Sequence, residues 1–434
     1  MQAYVDRYWD NIITEKLTNI GAVLLKGAKA CGKTRTAERV AKSKVDLLTD
    51  VQVVKRMEYQ PGIVLEGDRP RLIDEWQEVP QVWNLVRKEV DSAQVPGQFI
   101  LTGSTNPPES AKLHSGVGRF AVVEMGTMSW VEKGWSTAEV SLIDIMNPEP
   151  ICSSAPEMDL DEVVEHLCIG GWPGLLGAST EKAFEFLTDY IKLTAEVDIS
   201  RVSDKKRDPV KVRRLLSSIA RNISTEASHV TLARDVRAGS DITEQTVAEY
   251  MEALTRLMIV QDLPSWRPHI RSTYQLRKTP KRHFVDSSLC IGALGLREAD
   301  LLRDLEYLGL LFESCVIGNL RIYARQCGAE LFYYRDSGGL EADAIIEFPD
   351  GRWIGVEVKL GASKADEAAA NLLKLAKRID PKRTGSPSAL LVVTANGFAH
   401  KRKDGVCVVP LGVLGTGVQI RTASALSTSL IRLS

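Results

Sequence analysis

The sequence predicts an α/β protein in which a mostly parallel sheet is followed by a helical segment and then by a second, smaller α/β segment. Its 434 residues correspond to about three domains at ~150 residues each. In about the first 130 residues, short apolar runs alternate with amphipathic stretches, which is typical of strands and helices in a parallel sheet. From residue 159 to 263 the apolar spacing becomes helical, and after residue 312 the alternation returns. We therefore expect domains over residues 1–150, 151–300 and 301–434.

The composition excludes several classes of protein. An apolar fraction of 44% and a charged fraction of 26% are ordinary for a globular chain and exclude disordered, collagen-like and fibrous proteins. The 55 basic residues nearly balance the 56 acidic ones, and the net charge of −1 provides no overall basic field for nucleic acid or an anionic membrane. Any contact with nucleic acid must then come from local patches.

The chain is expected to be soluble and cytoplasmic, without a membrane partner. Its longest apolar stretches fall short of the ~20 residues that cross a bilayer, and its first residues lack the apolar run of a signal peptide. The seven cysteines are scattered and never form C-x-x-C, which argues against a disulfide framework or a zinc clip. The six histidines are also spread without pairing, and we expect them to be structural or exposed.

The first segment contains three apolar runs that predict buried strands. They cover residues 20–26, 71–74 and 98–102, and each is followed by a polar or glycine-containing loop. The chemistry of these loops is unusual for plain connections, and the candidate motifs lie where these strands end.

The loop after the first run has the spacing G-x-x-x-x-G-K-[ST] and precedes a predicted helix. Its glycines let backbone N–H groups close around a phosphate, Lys33 reaches the β and γ oxygens, and Thr34 binds Mg²⁺. The alternative is a chance glycine-rich turn, but the strand before it and the helix after it favour a nucleotide site with ATP and Mg²⁺ as ligands. The predicted binding residues are Gly27, Ala28, Lys29, Ala30, Cys31, Gly32, Lys33 and Thr34. The predicted binding set ends at Thr34. Position 35 is interpreted as a further hydroxyl residue, but it is assigned no role in binding.

The second run ends in a pair of acids. Asp74 is predicted to hold Mg²⁺ together with Thr34, and Glu75 to polarise the water that attacks the γ-phosphate, with Lys33 as a further catalytic residue. Taken alone, the acids could form an exposed turn after a strand. Their position about forty residues after the phosphate loop makes the combination specific.

Two later features extend the predicted site. Residues 99–106 end a strand with hydroxyl and amide groups, which either sense the γ-phosphate or form a plain turn. Arg119, in the glycine-containing loop 116–120, could stabilise developing charge in cis or across a subunit interface. The alternative for Arg119 is an ordinary surface arginine.

Several runs together resemble a known family. R-L-I-D-E-W-Q-E-V-P-Q-V-W, F-I-L-T-G-S-T-N-P, G-R-F and M-S-W-V-E look like the prokaryotic AAA-type P-loop ATPases of the additional-strand catalytic glutamate (ASCE) class. The resemblance extends from residue 8 to about residue 409 and implies a P-loop NTPase parallel sheet, with Asp74 binding metal and Glu75 catalytic. Trp76 stands where an aliphatic residue is usual. Members carry a C-terminal domain of unknown function that resembles the PD-(D/E)xK nucleases, a restriction-endonuclease-like α/β fold.

The middle segment carries local positive charge. Eight basic residues lie in 201–221, and six lie between residues 266 and 283 without an acid among them. This segment has the element order of a winged helix, so backbone contact with duplex DNA is one hypothesis. The alternatives are solvated basic faces or a module that packs against protein. The predicted helices cover residues 211–221, 231–238 and 243–257, followed by strand-like 259–263 and 274–276.

The junction before this segment, residues 170–174, looks like the family's G-G-x-P element, although the residues alone predict only a turn.

The third segment contains the pattern E…D…E-x-K. Glu313 lies on an amphipathic helix, Glu341 and Asp343 enter a strand, and Glu357 with Lys359 ends the next. In the nuclease-like domain, such residues coordinate Mg²⁺ for phosphodiester hydrolysis, with the lysine activating water. The alternative is a set of exposed acids on a hairpin. We name Glu313, Asp343, Glu357 and Lys359 as a second possible metal site.

The sequence therefore supports three functional hypotheses. The leading one is a Mg²⁺-dependent ATPase that acts as a nucleotide-driven switch or motor on DNA or a protein partner, with an oligomer possible. The second is a DNA-binding regulator in which ATP turnover is incidental. The third is a metal-dependent DNA nuclease.

Overall fold

The computed structural model describes residues 4–103, 115–154, 157–201, 207–237, 241–268 and 279–417. A parallel sheet with strand order β2-β3-β4-β1-β5 forms the first part of the fold. Its three predicted strands are present with bounds shifted by at most two residues, and this arrangement fits a P-loop NTPase fold. The strands are β1 (Ala22–Gly27), β2 (Ser43–Asp46), β3 (Arg71–Asp74), β4 (Phe99–Gly103) and β5 (Phe120–Met125).

Helices cover this sheet because its central strands, β1, β3 and β4, are apolar on both faces, so each face must be buried. The phosphate loop follows β1 at the centre of the sheet and leads directly into a helix. The helices are α1 (Tyr8–Asn19), α2 (Lys33–Val40), α3 (Val51–Arg56), α4 (Val82–Ala93) and α5 (Trp130–Lys133).

The middle part of the chain is helical, as its apolar spacing predicts. The three predicted helices correspond to α9, α10 and α11, whereas the predicted strand 274–276 lies outside the described residues. Residues 260 and 263 form isolated antiparallel bridges with residues 284 and 281. The helices are α6 (Leu160–Ile169), α7 (Thr180–Leu193), α8 (Ile199–Arg201), α9 (Pro209–Arg221), α10 (His229–Arg237), α11 (Glu244–Arg256), α12 (Leu289–Leu294) and α13 (Glu298–Arg303), with a π-helical turn over Thr194–Asp198.

The last part forms a mixed sheet of order β11-β12-β10-β9-β8-β7. Strands β7, β8 and β9 are antiparallel, and β9, β10 and β12 are parallel. Its elements are α14 (Leu305–Gln326), β7 (Glu330–Arg335), β8 (Glu341–Glu347), β9 (Trp353–Lys359), α15 (Ala365–Arg378), α16 (Pro381–Thr384), β10 (Ala389–Thr394), β11 (His400–Lys401) and β12 (Cys407–Pro410). The mixed sheet agrees with the predicted α/β segment.

One hydrophobic core runs through all three predicted segments. Its buried members include Leu25 in the parallel sheet, Leu216 in α9, Phe312 in α14 and Val356 in the mixed sheet. Helix α14 connects these regions, since Asn319 accepts a hydrogen bond from the Trp130 backbone at 2.7 Å. The segments are therefore packed against one another rather than joined only by linkers.

The end of the described chain returns to the first segment. Strand β13 (Leu414–Gly415) pairs in parallel with β6 (Val140–Ser141). The seven cysteines are all free, and most are buried. Within the described residues, every helix is too short or too polar to pass through a membrane.

Candidate nucleotide site

The phosphate loop is shaped by close contacts that only small residues permit. Gly32 has a φ of +101°, in the left-handed region that favours glycine, and leads into α2. A Cβ at Gly27 would lie 2.6 Å from the Met125 carbonyl oxygen, so the loop must pass β5 without a side chain. These two positions are the ones that the motif reserves for glycine.

Lys33 is folded back over its own loop. The side chain is buried, and its Nζ donates to the carbonyl oxygens of Gly27 at 3.0 Å and Ala28 at 2.9 Å. Both acceptors are neutral, and a charged acceptor makes a stronger hydrogen bond with an ammonium group. An anionic phosphate at the loop would therefore be a better partner for Lys33 than the carbonyls.

Asp74, at the end of β3, contacts side chains from three other elements, α2, β4 and β2. Its Oδ1 accepts hydrogen bonds from the hydroxyls of Thr34, at 3.0 Å, and Thr102, while its Oδ2 pairs with Lys44 Nζ at 3.1 Å. The predicted metal pair, Thr34 and Asp74, is thus brought together. These two oxygen donors fit Mg²⁺, which takes one or two protein ligands and completes its shell with water and phosphate oxygens.

Lys44 on β2 is a site residue that the sequence analysis missed. Burial lowers its pKa, but hydrogen bonds to Glu38 and Asp74 outweigh burial, and the net shift of the pKa is upward. Lys44 therefore stays charged beside Asp74. No local motif marks it, because its role depends on β2 lying next to β3 in the sheet.

Glu75 follows β3 in a left-handed conformation, with a φ of +50°. Its Oε2 accepts a hydrogen bond from Gln77 Nε2. The other amide atom, Gln77 Oε1, is buried without a hydrogen-bond partner among the described residues and faces Gly103 at the end of β4. Gln77 was not singled out as a site residue, although it stands in the D-E-x-Q run that carries the family resemblance.

Arg119 lies at the other edge of the sheet. It immediately precedes β5, its carbonyl accepts from the Ala22 backbone at the start of β1, and its side chain pairs with Asp91 at 2.7 Å. Gly27 lies five residue steps after Ala22 along β1, which is about 16 Å at ~3.3 Å per residue. The expected role of Arg119 in cis is therefore corrected, whereas a role across a subunit interface stays a prediction.

A cavity of about 290 Å³ adjoins the phosphate loop. Its walls come from the N-terminal segment (Tyr4, Val5), the start of α2 (Gly32, Thr36) and the turn after α6 (Pro173). The Tyr4 hydroxyl donates to Thr36 at 3.1 Å, so the N-terminal segment is held against α2. Buried Arg7 adds a hydrogen bond to the Cys31 carbonyl at 3.0 Å.

Position 35, directly after the predicted binding set, also borders this cavity. The residue there is Arg35, an arginine and not a second threonine, so the interpretation of position 35 as a hydroxyl position is wrong. Arg35 lies in the first turn of α2, is exposed and lines the cavity. The position therefore offers no hydroxyl to a metal ion, but it does place a positive charge at the cavity wall.

The helical segment touches the phosphate loop directly. Lys29 Nζ pairs with Asp198, on the π-helical turn after α7, at 2.5 Å. The Tyr190 hydroxyl, on α7, donates to the Lys29 carbonyl at 3.2 Å. Both the side chain and the backbone of Lys29 are therefore held by the helical segment.

Close packing explains the two glycines of the G-G-x-P junction, although the sequence alone predicted only a turn there. Asp286 accepts from Thr127 at 2.6 Å and from the Gly171 backbone at 2.8 Å, and its other oxygen accepts from Ser288. A Cβ at Gly170 would lie 2.2 Å from the Ser288 hydroxyl oxygen. The two glycines let the chain approach a buried carboxylate that joins the first segment to the middle one.

The acids of the third segment also converge, together with a lysine that was not predicted to join them. Glu313, on α14, and Asp343, on β8, both pair with Lys281 Nζ, at 2.9 and 3.3 Å. Glu357 pairs with Lys359 at 2.8 Å. Within the described residues, no group of three or more His, Cys, Asp or Glu side chains is arranged to hold a metal ion.

The basic segments are only partly described, since residues 202–206 and 269–278 lie outside the described ranges. In the second segment, Lys281 and Arg282 are buried and pair with acids of the same chain, Arg282 with Asp262. These two residues are therefore removed from the predicted DNA-contacting set, because their charge is already compensated inside the fold. Arg267 remains exposed.

Three families of known proteins match successive parts of the chain. Residues 19–133 match the AAA domain family, residues 160–300 match a domain of unknown function (DUF8612), and residues 308–414 match another (DUF4143). The first match supports an AAA-type, nucleotide-binding ATPase domain. The match of the last segment gives no function, so its expected likeness to nucleases is not confirmed.

The relatives found include uncharacterized proteins of Mycobacterium bovis and Mycobacterium tuberculosis. Each is 25% identical over 343 residues, which cover 78% of this chain and 70% of the relative. Among solved structures, AMPPCP-bound DnaA from Aquifex aeolicus is matched with 13% identity and a TM-score of 0.27, over 59% of this chain and 89% of DnaA.

Proposed function

We propose that this chain binds ATP at Gly27–Thr34 and hydrolyses it with Mg²⁺. The observation that carries the proposal is the contact of Thr34 with Asp74 at 3.0 Å, one residue after buried Lys33, whose ammonium group lies on the phosphate loop. Bound Mg²⁺ would neutralise charge on the β- and γ-phosphates, held by these two oxygen donors. Lys33 would exchange its neutral carbonyl acceptors for phosphate oxygens.

Glu75 is the proposed base. It follows the metal-binding strand end by one residue, and its positive φ turns the chain sharply after β3. The hydrogen bond from Gln77 orients the carboxylate without adding a positive charge to it. Glu75 would accept a proton from the attacking water while Lys33 stabilises the charge that develops on the phosphate.

The cavity beside Gly32 is the proposed place for the base of the nucleotide. It adjoins the phosphate loop, and its lining includes apolar Val5, Met128 and Pro173. Its volume of about 290 Å³ is at the low end of the range typical of small-ligand sites. A nucleotide bound here would contact both the phosphate loop and the turn that follows α6.

The test uses phosphate release and nucleotide binding by three variants. Lys33→Ala should abolish both, because it removes the charge that holds the phosphates. Glu75→Gln should retain binding and reduce the turnover number by about 10²-fold to 10⁴-fold, as expected for loss of a general base. Lys16→Ala, on the exposed side of α1, is the matched control and should behave as the unmodified chain. Undiminished phosphate release by Lys33→Ala would refute the proposal.

The proposed role of hydrolysis is a switch that acts on a partner. The contacts of Lys29 with Asp198 and Tyr190 support it, because they connect the phosphate loop to the helical segment. Phosphate release should then be measured with and without duplex DNA. Stimulation that weakens with added salt would identify DNA as the partner, whereas unchanged release would favour a protein partner or incidental turnover.

A further inference from the structure

The acidic cluster of the third segment is organised around a lysine from outside that segment. Lys281 Nζ lies 2.7 Å from Glu341, 2.9 Å from Glu313 and 3.3 Å from Asp343. Only 3% of the lysine side chain is exposed. An ammonium group with three hydrogens is thus matched by three carboxylate acceptors in a buried place.

The backbone of Lys281 is fixed by the fold. Its N–H donates to the Leu263 carbonyl at 3.0 Å, and its own carbonyl accepts from Leu263 at 2.9 Å. The Tyr333 hydroxyl, on β7, donates to the Thr279 carbonyl at 2.7 Å. Lys281 is therefore not a surface lysine that has folded onto nearby acids, since the chain on both sides of it is held in place.

Asp343 and Glu357 have further partners within the chain. Asp343 Oδ2 accepts from the Val358 backbone at 2.8 Å. Glu357 accepts from Asn371 at 2.6 Å and pairs with Lys359 at 2.8 Å. Each acid of the cluster therefore already has at least one cationic partner from the chain itself.

A divalent cation and the Lys281 ammonium cannot share this place. Ligand oxygens approach Mg²⁺ to about 2.0–2.1 Å, and a positive group a few ångströms away would repel the ion strongly inside the protein. Three carboxylates surround the Lys281 ammonium group within hydrogen-bonding distance, and this arrangement favours the charged form of the lysine.

We propose that Lys281 is the built-in cation of this cluster and that it keeps a divalent metal ion out of the nuclease-like site. The lysine lies in the part of the chain that matches one domain family, 160–300, and the acids lie in the part that matches another, 308–414. It therefore acts as an electrostatic contact between the two. Metal-dependent chemistry at Asp343 and Glu357 requires that residue 281 first be withdrawn.

The test measures Mn²⁺ binding by the full-length chain without nucleotide, by electron paramagnetic resonance. All samples carry Thr34→Ala, which removes a proposed metal ligand of the nucleotide site. With Lys281 present, replacing Asp343 by Asn should change nothing. Lys281→Met should create one saturable Mn²⁺ site per chain, and the Lys281→Met/Asp343→Asn double variant should lose it.

Two control variants test whether a positive charge at position 281 is what excludes the metal ion. Lys281→Arg keeps a cation in place and should bind no Mn²⁺, and Lys359→Met leaves Lys281 in the cluster and should also bind none. A folded Lys281→Met chain without the new site would overturn the proposal. So would Asp343-dependent Mn²⁺ binding by the chain with Lys281 intact, a measurement that needs no change at residue 281.

Discussion

His166 is a buried histidine whose surroundings hold it in the neutral form. Its ring stacks on Trp135, with centroids 4.0 Å apart and an interplanar angle of 13°, and its Nδ1 has no hydrogen-bond partner among the described residues. Lys133 Nζ lies 4.2 Å from the centre of the same Trp135 ring. Burial, and then the charge of Lys133, lower the pKa of His166 to about 4.

This lowered pKa predicts a loss of stability in acid. The unfolded chain protonates His166 near pH 6.5, but the folded chain does so only near pH 4, so stability is retained above pH 6.5 and lost as the pH falls towards 4. The difference of about 2.5 pH units corresponds to ~3 kcal/mol. His166→Phe keeps an aromatic ring in the stack and should remove most of this loss in urea unfolding at pH 7 and pH 4.5. Replacing exposed His400 by Phe is the control. If the free energy of unfolding changed equally between pH 7 and pH 4.5 in both variants, His166 would not be the cause of the loss.

Gly171 and Gly174 are close in sequence but have different surroundings. A Cβ at Gly171 would lie 2.2 Å from the Met128 carbonyl oxygen, while a Cβ at Gly174 would have no heavy atom within 4 Å. Gly171→Ala should therefore lower the free energy of unfolding by about 2–3 kcal/mol, because the backbone of the junction must move. Gly174→Ala should be nearly neutral by the same measurement. Similar destabilisation by both changes would show that the close approach is not what fixes the glycine.

The residues that could be predicted from the sequence are those with a local motif. Lys33, Thr34, Asp74 and Glu75 stand at fixed offsets from strand ends, and the structure places Thr34 and Asp74 in contact. Lys44 and Lys281 could not be predicted in this way, because each meets its acidic partner only after strands distant in sequence have paired. A lysine with an ordinary sequence environment carries no signal of the acid it will neutralise.

At the scale of elements, continuous apolar runs predicted β1, β3 and β4 of the parallel sheet to within two residues, since these strands are buried on both faces. The edge strands β2 and β5 are partly exposed and were not predicted. Strand direction explains why Arg119 lies far from the phosphate loop. All strands of this sheet are parallel, so a residue before a strand lies at the edge opposite to a loop that follows one. Pairing of β13 with β6 could not be foreseen, because two-residue strands leave no period in the sequence.

The contact between the π-helical turn and the phosphate loop leads to a prediction for ATP affinity. Asp198 places a carboxylate beside Lys29 in the loop that would hold the phosphates, with a separation of 2.5 Å. Asp198→Asn frees Lys29 and removes a negative charge, so the dissociation constant for ATP should fall about fivefold, equal to ~1 kcal/mol. Glu196→Gln, an exposed residue of the same turn, removes the same charge away from the loop and should have little effect. Weaker ATP binding by Asp198→Asn would show that the ion pair shapes the loop instead.

At the scale of the whole molecule, the three segments contact one another more extensively than independent domains of one chain would. Gln326, at the end of α14, donates to the Tyr8 carbonyl at 2.6 Å, and Arg325 donates to the Glu124 carbonyl at 3.1 Å. The continuous core and the pairing of β13 with β6 also hold the segments together. Opening one segment would therefore expose apolar surface of the others.

This packing predicts that the chain unfolds in a single transition, although proteins of several domains commonly show more than one. Differential scanning calorimetry should record one endotherm, and Mg²⁺ with a non-hydrolysable ATP analogue at 100 times its dissociation constant should stabilise the folded state by ~2.7 kcal/mol. For a chain of this length, that corresponds to a rise of about 3 °C in the whole transition. Lys33→Ala should show the same single endotherm without the shift. Two endotherms, of which the nucleotide moves only one, would mean that the nucleotide segment unfolds independently and that the shared core does not couple it to the rest of the chain.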